Sequence, residues 1–243
     1  MTNTLYLRNQ VNRYALLFVG RVGSSYLTSL MNSHPNIQAH MDDVTEIKDQ
    51  GPDAQLNLVR QFITPPLIGK NKVIGFKTKP ANLLDLEGFA ELLRQHRCRI
   101  IQLQRRNQVK SVVSHLNGKR LAEKTGMWGL YDENNRPTAF AIDPEEFDAT
   151  LKNRQMVEQR LVDYVQSLKL PVLAIYYEEM LVNLDDLMKR IFNFLEVAPH
   201  SVRASELKIT SDDLREVLTN FDELKARYLG TPYEAMFDEV LTP

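Results

Sequence analysis

The sequence predicts an α/β domain in which a four- to five-stranded parallel sheet carries helices on both faces. Short apolar runs without polar alternation recur at 14–19, 72–77, 99–103 and 171–176, as strands covered on both faces require. The stretches between them place apolar residues at helical three-four spacing. The first run also ends in a glycine turn that opens a helix, the strand–turn–helix connection of an alternating fold. A chain of 243 residues with 43% hydrophobic and 25% charged residues has the material for one such domain. The expected core spans about 14–195, with a helical extension over about 196–243.

In chain order, Tyr14–Val19 is the first strand. Gly20, Arg21, Val22, Gly23, Ser24 and Ser25 form a tight turn, and Leu27, Leu30 and Met31 mark one face of the following helix. Residues 65–69 (PPLIG) read as a linker. Lys72–Lys77 is the second strand and Leu83–His96 a helix. Arg99–Leu103 is the third strand, followed by a helix over Gln108–Ala122 that Asn107 can cap. A long helix from about Glu145 to Leu168 opens with Asp143 as cap, Pro144 in its first turn and Glu146 three residues after the cap. Its apolar stripe is Phe147, Leu151, Leu161, Tyr164, Val165 and Leu168. Pro171–Tyr176 is the fourth strand, and Leu184, Leu187, Met188, Ile191, Phe192 and Leu195 define the next helix. The segments 41–69 and 127–141 read as loops without a recognisable motif.

Composition narrows the function. A net charge of −1 argues against general nucleic-acid or membrane-surface binding. No apolar run approaches membrane-spanning length and the N-terminus has no signal core, so the cytoplasm is the expected compartment. The single cysteine, Cys98, excludes an intrachain disulfide and a cysteine-cluster metal site. Arg97 and Arg99 flank it and would lower its pKa; the competing reading is a small residue at a strand start.

Two constellations carry chemistry. The turn at 20–25 aims unpaired backbone N–H groups and a helix dipole at one spot, and Arg21, Ser24 and Ser25 add a charge and two hydroxyls. Such a turn suits an oxyanion. A nucleoside-triphosphate loop would need a longer glycine loop ending in Lys and Ser/Thr, and no lysine occurs here. In the second, Gln104–Ser114, a strand ends in Arg105 and Arg106, and a helix then offers Ser111, Ser114 and His115 near one side. Ser114 lies eight residues after Arg106, and arginine pairs bidentately with phosphate oxygens. Two anion sites at neighbouring strand ends fit a nucleoside phosphorylated at its 5′ and 3′ positions.

At these residues the chain resembles the sulfotransferases that use 3′-phosphoadenosine 5′-phosphosulfate (PAPS), which have a P-loop-NTPase-like fold. The resemblance rests on GRVGSS followed by YLTSLMNSHPNI, on Arg106 with Ser114, and on the stretches VIGFK and YYEEM; it covers roughly Tyr14 to Leu195. The HP-containing helix end is closer to bacterial and carbohydrate-type branches than to the cytosolic phenol and steroid enzymes. Val22 departs from the small or hydroxyl residue usual there and leaves only its backbone to the cradle.

The resemblance implies sulfuryl transfer from PAPS to a hydroxyl or amine, giving 3′,5′-adenosine bisphosphate, with no metal required. Arg21, Val22, Gly23, Ser24, Ser25 and Tyr26 would hold the 5′-phosphosulfate. Arg106 and Ser114 would hold the 3′-phosphate, with Arg105 the alternative to Arg106. Arg21 would stabilise the leaving phosphate, and Lys77, ahead of Lys79, would approach the transferred sulfate. The family's general base falls near Asp42, with Asp43, Glu46 and His40 as neighbouring candidates. His34 reads as a cap at a helix end, and Glu178 as a backbone cap or ion-pair partner. His115 reads as a nucleotide contact or a surface imidazole. Trp128 would stack on adenine, close over the acceptor, or fold into the core. Expected partners are a small-molecule, carbohydrate or lipid acceptor, without nucleic acid. The rival readings are a nucleotide-dependent kinase and a non-catalytic nucleotide-binding module.

Overall fold

The structure, a computed structural model, describes residues 4–41, 44–126, 128, 134, 137–203 and 211–241. Its elements run β1 (Tyr6–Leu7), β2 (Asn12–Phe18), α1 (Ser24–Asn32), β3 (Ile37–His40), α2 (Pro52–Ile63), β4 (Ile68–Gly69), β5 (Val73–Thr78), α3 (Leu86–Gln95), β6 (Arg99–Gln104), α4 (Gln108–Thr125), α5 (Pro144–Ser167), β7 (Val172–Tyr176), α6 (Tyr177–Val182), α7 (Leu184–Leu195), α8 (Phe221–Arg227) and α9 (Glu234–Asp238).

Five strands form one parallel sheet in the order β3-β5-β2-β6-β7. The central strand, β2, sends Tyr14, Leu16 and Phe18 into one apolar layer and Ala15 and Leu17 into the other. This double coverage is why the run shows no polar alternation. The first layer is closed by α1 and α7, the second by α2, α3 and the end of α5. Each fully buried leucine here contributes about 2 kcal/mol through removal from water.

The four expected strands lie within about two residues of their expected bounds. Asp85 caps α3 by accepting from the Gly88 N–H at 2.8 Å, which is why that helix starts later than the apolar pattern at Leu83. Asn107 and Asp143 cap α4 and α5 as expected, accepting from the N–H groups of Lys110 and Glu146.

Two elements, α2 and β4, correct the reading of 41–69 as loop and 65–69 as linker, and β3 adds a strand just before it. β3 is an edge strand of only four residues with Gln38 exposed, too short for a period to register. Helix α2 opens with Pro52 and buries Leu56, Val59, Phe62 and Ile63 against the sheet. Its stripe is interrupted by Gln55, which is buried but bonded to the Val44 and Asn82 carbonyls. Ile68–Gly69 pairs antiparallel with Tyr6–Leu7.

A third apolar cluster joins α4, the start of α5, and residues of the C-terminal segments, among them Leu214, Leu218, Phe221 and Phe237. The Asn107 amide donates to the Met236 carbonyl at 2.8 Å, and Lys110 pairs with Asp212 at 2.6 Å. The C-terminal segments therefore fix the first turn of α4. Cys98 is buried, and burial pushes its thiol up to about 12; the activated-thiol reading is thereby removed. No helix among the described residues is long and apolar enough to cross a membrane.

Candidate active site

The parallel register carries three strand ends to one place. Leu16 and Leu17 of β2 pair with Lys77 and Thr78 of β5, and Phe18 pairs with Leu103 of β6. The turn after β2 is therefore flanked by Lys77 on one side and Arg105 on the other, at the carboxyl edge where such sheets bind ligands.

Within the turn, Arg21 and Gly23 both adopt left-handed backbone, with φ of 68° and 79°. Glycine is required at 23 on a second count, since a Cβ there would lie 2.7 Å from the Tyr177 ring and 3.0 Å from the Met180 methyl. Gly23 gives the helix no side-chain cap, so the first-turn N–H groups of α1 face the turn. Val22 is buried in the core with Leu27 and Met180. Its side chain thus packs inward, which accounts physically for a valine where a hydroxyl residue was expected. Lys77 donates to the Ser25 hydroxyl at 2.8 Å, joining two residues that the sequence suggested separately.

The Arg21 guanidinium lies across α4. Its Nε donates to Ser114 Oγ at 3.3 Å, and a terminal N–H donates to the Trp128 carbonyl at 3.1 Å. Gly118, one turn beyond Ser114, permits this approach, because a Cβ there would lie 3.3 Å from the guanidinium carbon. Trp128 is half exposed, and its ring stacks on His115 at 5.8 Å between centroids. It forms a rim over the site and is outside the core.

The two adjacent arginines diverge. Arg105 lies 4.5 Å over the Tyr177 ring with a terminal N–H 3.5 Å from the Arg21 carbonyl. Its Nε is buried without a partner among the described residues. Arg106 is exposed and lies 4.1 Å over the Tyr176 ring, in a recess shared with Glu179, Asp186 and Arg190. The structure thus brings Arg105, and not Arg106, to Arg21, whose side chain in turn reaches Ser114. Glu178 caps this corner, accepting from the N–H groups of Arg106 and Asn107 at 3.1 Å each.

Burial lowers the pKa of Arg21, and the charge of Arg105 lowers it further; burial likewise lowers Arg105. His115 is held below its ordinary value by burial and then by the charges of Arg154 and Arg21. These effects mark a concentration of positive charge that an anion would relieve.

Asp42 and Asp43 lie outside the described residues. Glu46 is exposed in the 3₁₀ segment after them, and His40 ends β3 stacked on Phe62 at 4.3 Å. Lys79 follows β5 and is half-buried. His34 is structural: its Nδ1 accepts from the Asn36 N–H at 3.0 Å, so its Nε2 donates to the Ala198 carbonyl at 2.9 Å.

One buried site residue escaped the sequence reading. Arg154 of α5 donates to the Gly20 carbonyl at 2.8 Å and to Glu158 at 3.0 Å. Its signal was available: 147, 151, 154, 158, 161, 165 and 168 form one unbroken seam of spacing four and three, and 154 and 158 are its only charged members.

The model of the sulfotransferase domain matches residues 20–229, beginning at the turn itself. The chain belongs to the sulfotransferase family. Nodulation protein H of Rhizobium tropici is 27% identical over 237 residues, covering 93% of this chain and 92% of that protein. Nodulation protein H of Rhizobium meliloti strain 1021 is 24% identical over 240 residues, covering 93% and 94%. Among solved structures, a sulfotransferase from Alicyclobacillus acidocaldarius superposes with a TM-score of 0.50 at 16% identity, over 93% of this chain and 94% of that one. The sulfotransferase fold and sulfuryl transfer that the resemblance implied are therefore those of this chain's family, in its bacterial branch.

Proposed function

We propose that this sulfotransferase takes PAPS as donor and transfers its sulfuryl group to a hydroxyl or amine of a small-molecule, carbohydrate or lipid acceptor. The observation that carries the reading is the cationic corner in which Arg21 meets both Ser114 and Arg105. One buried group there, Arg105 Nε, has no partner among the described residues. An unpaired buried donor costs about 1–3 kcal/mol, and a phosphate oxygen would satisfy it.

In this reading the first-turn N–H groups of α1, Ser24, Ser25, Tyr26 and the backbone of Val22 and Gly23 cradle the 5′ end. Ser114 and Arg105 take the 3′-phosphate; Arg105 replaces Arg106 because its contact with the Arg21 carbonyl supports it. The donor supplies an activated sulfuryl group on a phosphate leaving group. An acceptor oxygen forms a bond to sulfur as the sulfur–oxygen bond to the 5′-phosphate breaks. Arg21 and the backbone donors stabilise charge on that departing oxygen, and Lys77, held on Ser25, neutralises the transferred group. Asp42, two residues beyond the end of β3, removes the acceptor proton. Asp42→Ala should therefore abolish turnover with bisphosphate binding intact, and retained turnover would move the base elsewhere.

Thermal unfolding tests the donor. At about 100 times its dissociation constant, a ligand of the folded state adds about 2.7 kcal/mol, or roughly 5–10 °C for a domain of this size. 3′,5′-Adenosine bisphosphate should give that shift and ATP–Mg²⁺ almost none. Equal shifts would return the kinase reading, and no shift with either would reject nucleotide binding.

A further inference from the structure

Arg154 stands in α5, more than a hundred residues from the turn in sequence, yet its guanidinium is buried against it. Three contacts define it. One terminal N–H holds the Gly20 carbonyl at 2.8 Å, and Nε holds Glu158 at 3.0 Å. Glu158 in turn accepts from Gln108, the first residue of α4, at 3.1 Å. The other terminal nitrogen is buried without a partner among the described residues.

For stability alone this arrangement is poor. Burying an ion pair costs about as much as its attraction returns, and apolar residues at such positions often do as well. Leucines at 154 and 158 would simply complete the seam of α5. What they could not supply is a donor to Gly20. In a trans peptide the carbonyl and the following N–H point in opposite directions. Holding the Gly20 carbonyl toward α5 therefore turns the Arg21 N–H away from it. The next residue is Arg21 with φ of 68°, a conformation that costs a non-glycine residue about 1 kcal/mol and persists only where neighbours enforce it.

We infer that Arg154 is a positioning residue for the anion-binding turn: it locks the Gly20–Arg21 peptide and, through Glu158 and Gln108, ties that peptide to the first turn of α4. The two anion sites are thereby held at fixed separation by a buried bridge that touches neither phosphate. The inference rests on the proposed binding of the nucleotide at this turn.

The test is calorimetric titration of the full chain with 3′,5′-adenosine bisphosphate and with 5′-AMP, at a temperature where circular dichroism shows each variant folded. The double variant Arg154→Met/Glu158→Gln removes the bridge without stranding a buried charge. It should bind both nucleotides at least about tenfold more weakly, by the loss of one charge-assisted hydrogen bond. Because the bridge joins the turn to α4, the loss should be larger for the bisphosphate, which spans both sites, than for 5′-AMP. Arg154→Lys, which keeps a donor, should recover part of the affinity. Folded double variant binding within twofold of the parent overturns the positioning role, as does Arg154→Lys binding no better than the double variant. If the double variant does not fold, Arg154→Lys is compared with the parent; weaker binding supports the role and equal binding overturns it. A parent chain that binds neither nucleotide overturns the donor assignment instead, so the two failures are distinct.

Discussion

Gly23→Ala puts the geometry of the turn under direct strain. The residue sits at φ +79°, and its missing Cβ would fall 2.7 Å from Tyr177 Cδ2 and 3.0 Å from Met180 Cε. Left-handed alanine costs about 1–2 kcal/mol. Forcing the half-buried Tyr177 and the buried Met180 to yield adds about 1–3 kcal/mol. Stiffening of the unfolded chain offsets about 0.4–1 kcal/mol. The net expectation is a loss of about 2–3 kcal/mol, read as a lower urea midpoint at unchanged slope. Tyr177 also lies under Arg105, so its displacement should weaken bisphosphate binding beyond the stability loss. A second background separates the terms. With Tyr177→Ala already present, adding Gly23→Ala should cost about 1 kcal/mol less than in the parent, because the closer of the two clashes is gone. A loss under about 0.5 kcal/mol, or the same loss in both backgrounds, would refute the steric account.

Two further outcomes follow from the site. Arg105→Ala should weaken bisphosphate binding about tenfold more than it weakens 5′-AMP binding, because the charge-assisted contact is to the 3′ group alone; Arg106→Ala should leave the ratio within about threefold, and the reverse pattern would restore Arg106 to the 3′ site. His115, whose folded pKa lies below its ordinary value of about 6.5, gives stability that is present above that value and lost as pH falls through the depressed one. A bound anion beside it raises its pKa, so calorimetry near pH 6 in buffers of different ionisation heat should register proton uptake on bisphosphate binding. His115→Asn should remove that uptake, and buffer-independent heats in the parent would place the anion elsewhere.

What the sequence disclosed follows from where its signals are local. The turn was legible because a glycine with positive φ, a basic residue and two serines must sit within six positions of a strand end. β2, β5 and β6 were legible because both faces are buried, and β7, though an edge strand, because its run is apolar throughout. β3 was not, being four residues long and half exposed at the sheet edge. Helix α2 was hidden by Gln55, a buried polar residue whose partners, Val44 and Asn82, are distant in sequence. The choice between Arg105 and Arg106 turns on which side of a strand end a side chain leaves, and that depends on Tyr176 and Tyr177 of another segment. Arg154 shows the opposite case: its place in the α5 seam was periodic and local, but only its contact with Gly20 gives the charge a purpose.

The pairing of β2 with both β5 and β6 carries a consequence for assembly. Gly20, Lys77, Arg105, Ser114, Arg154 and Tyr177 come from separate stretches of chain that meet only when the middle three strands have zipped together. With the nucleotide bound as proposed, a fragment lacking one of these stretches should hold it more weakly than the folded sheet does, so capture should track folding. A ligand held there acts as a rivet through the whole sheet, and protection from proteolysis should rise together in segments as remote as residues 20 and 177.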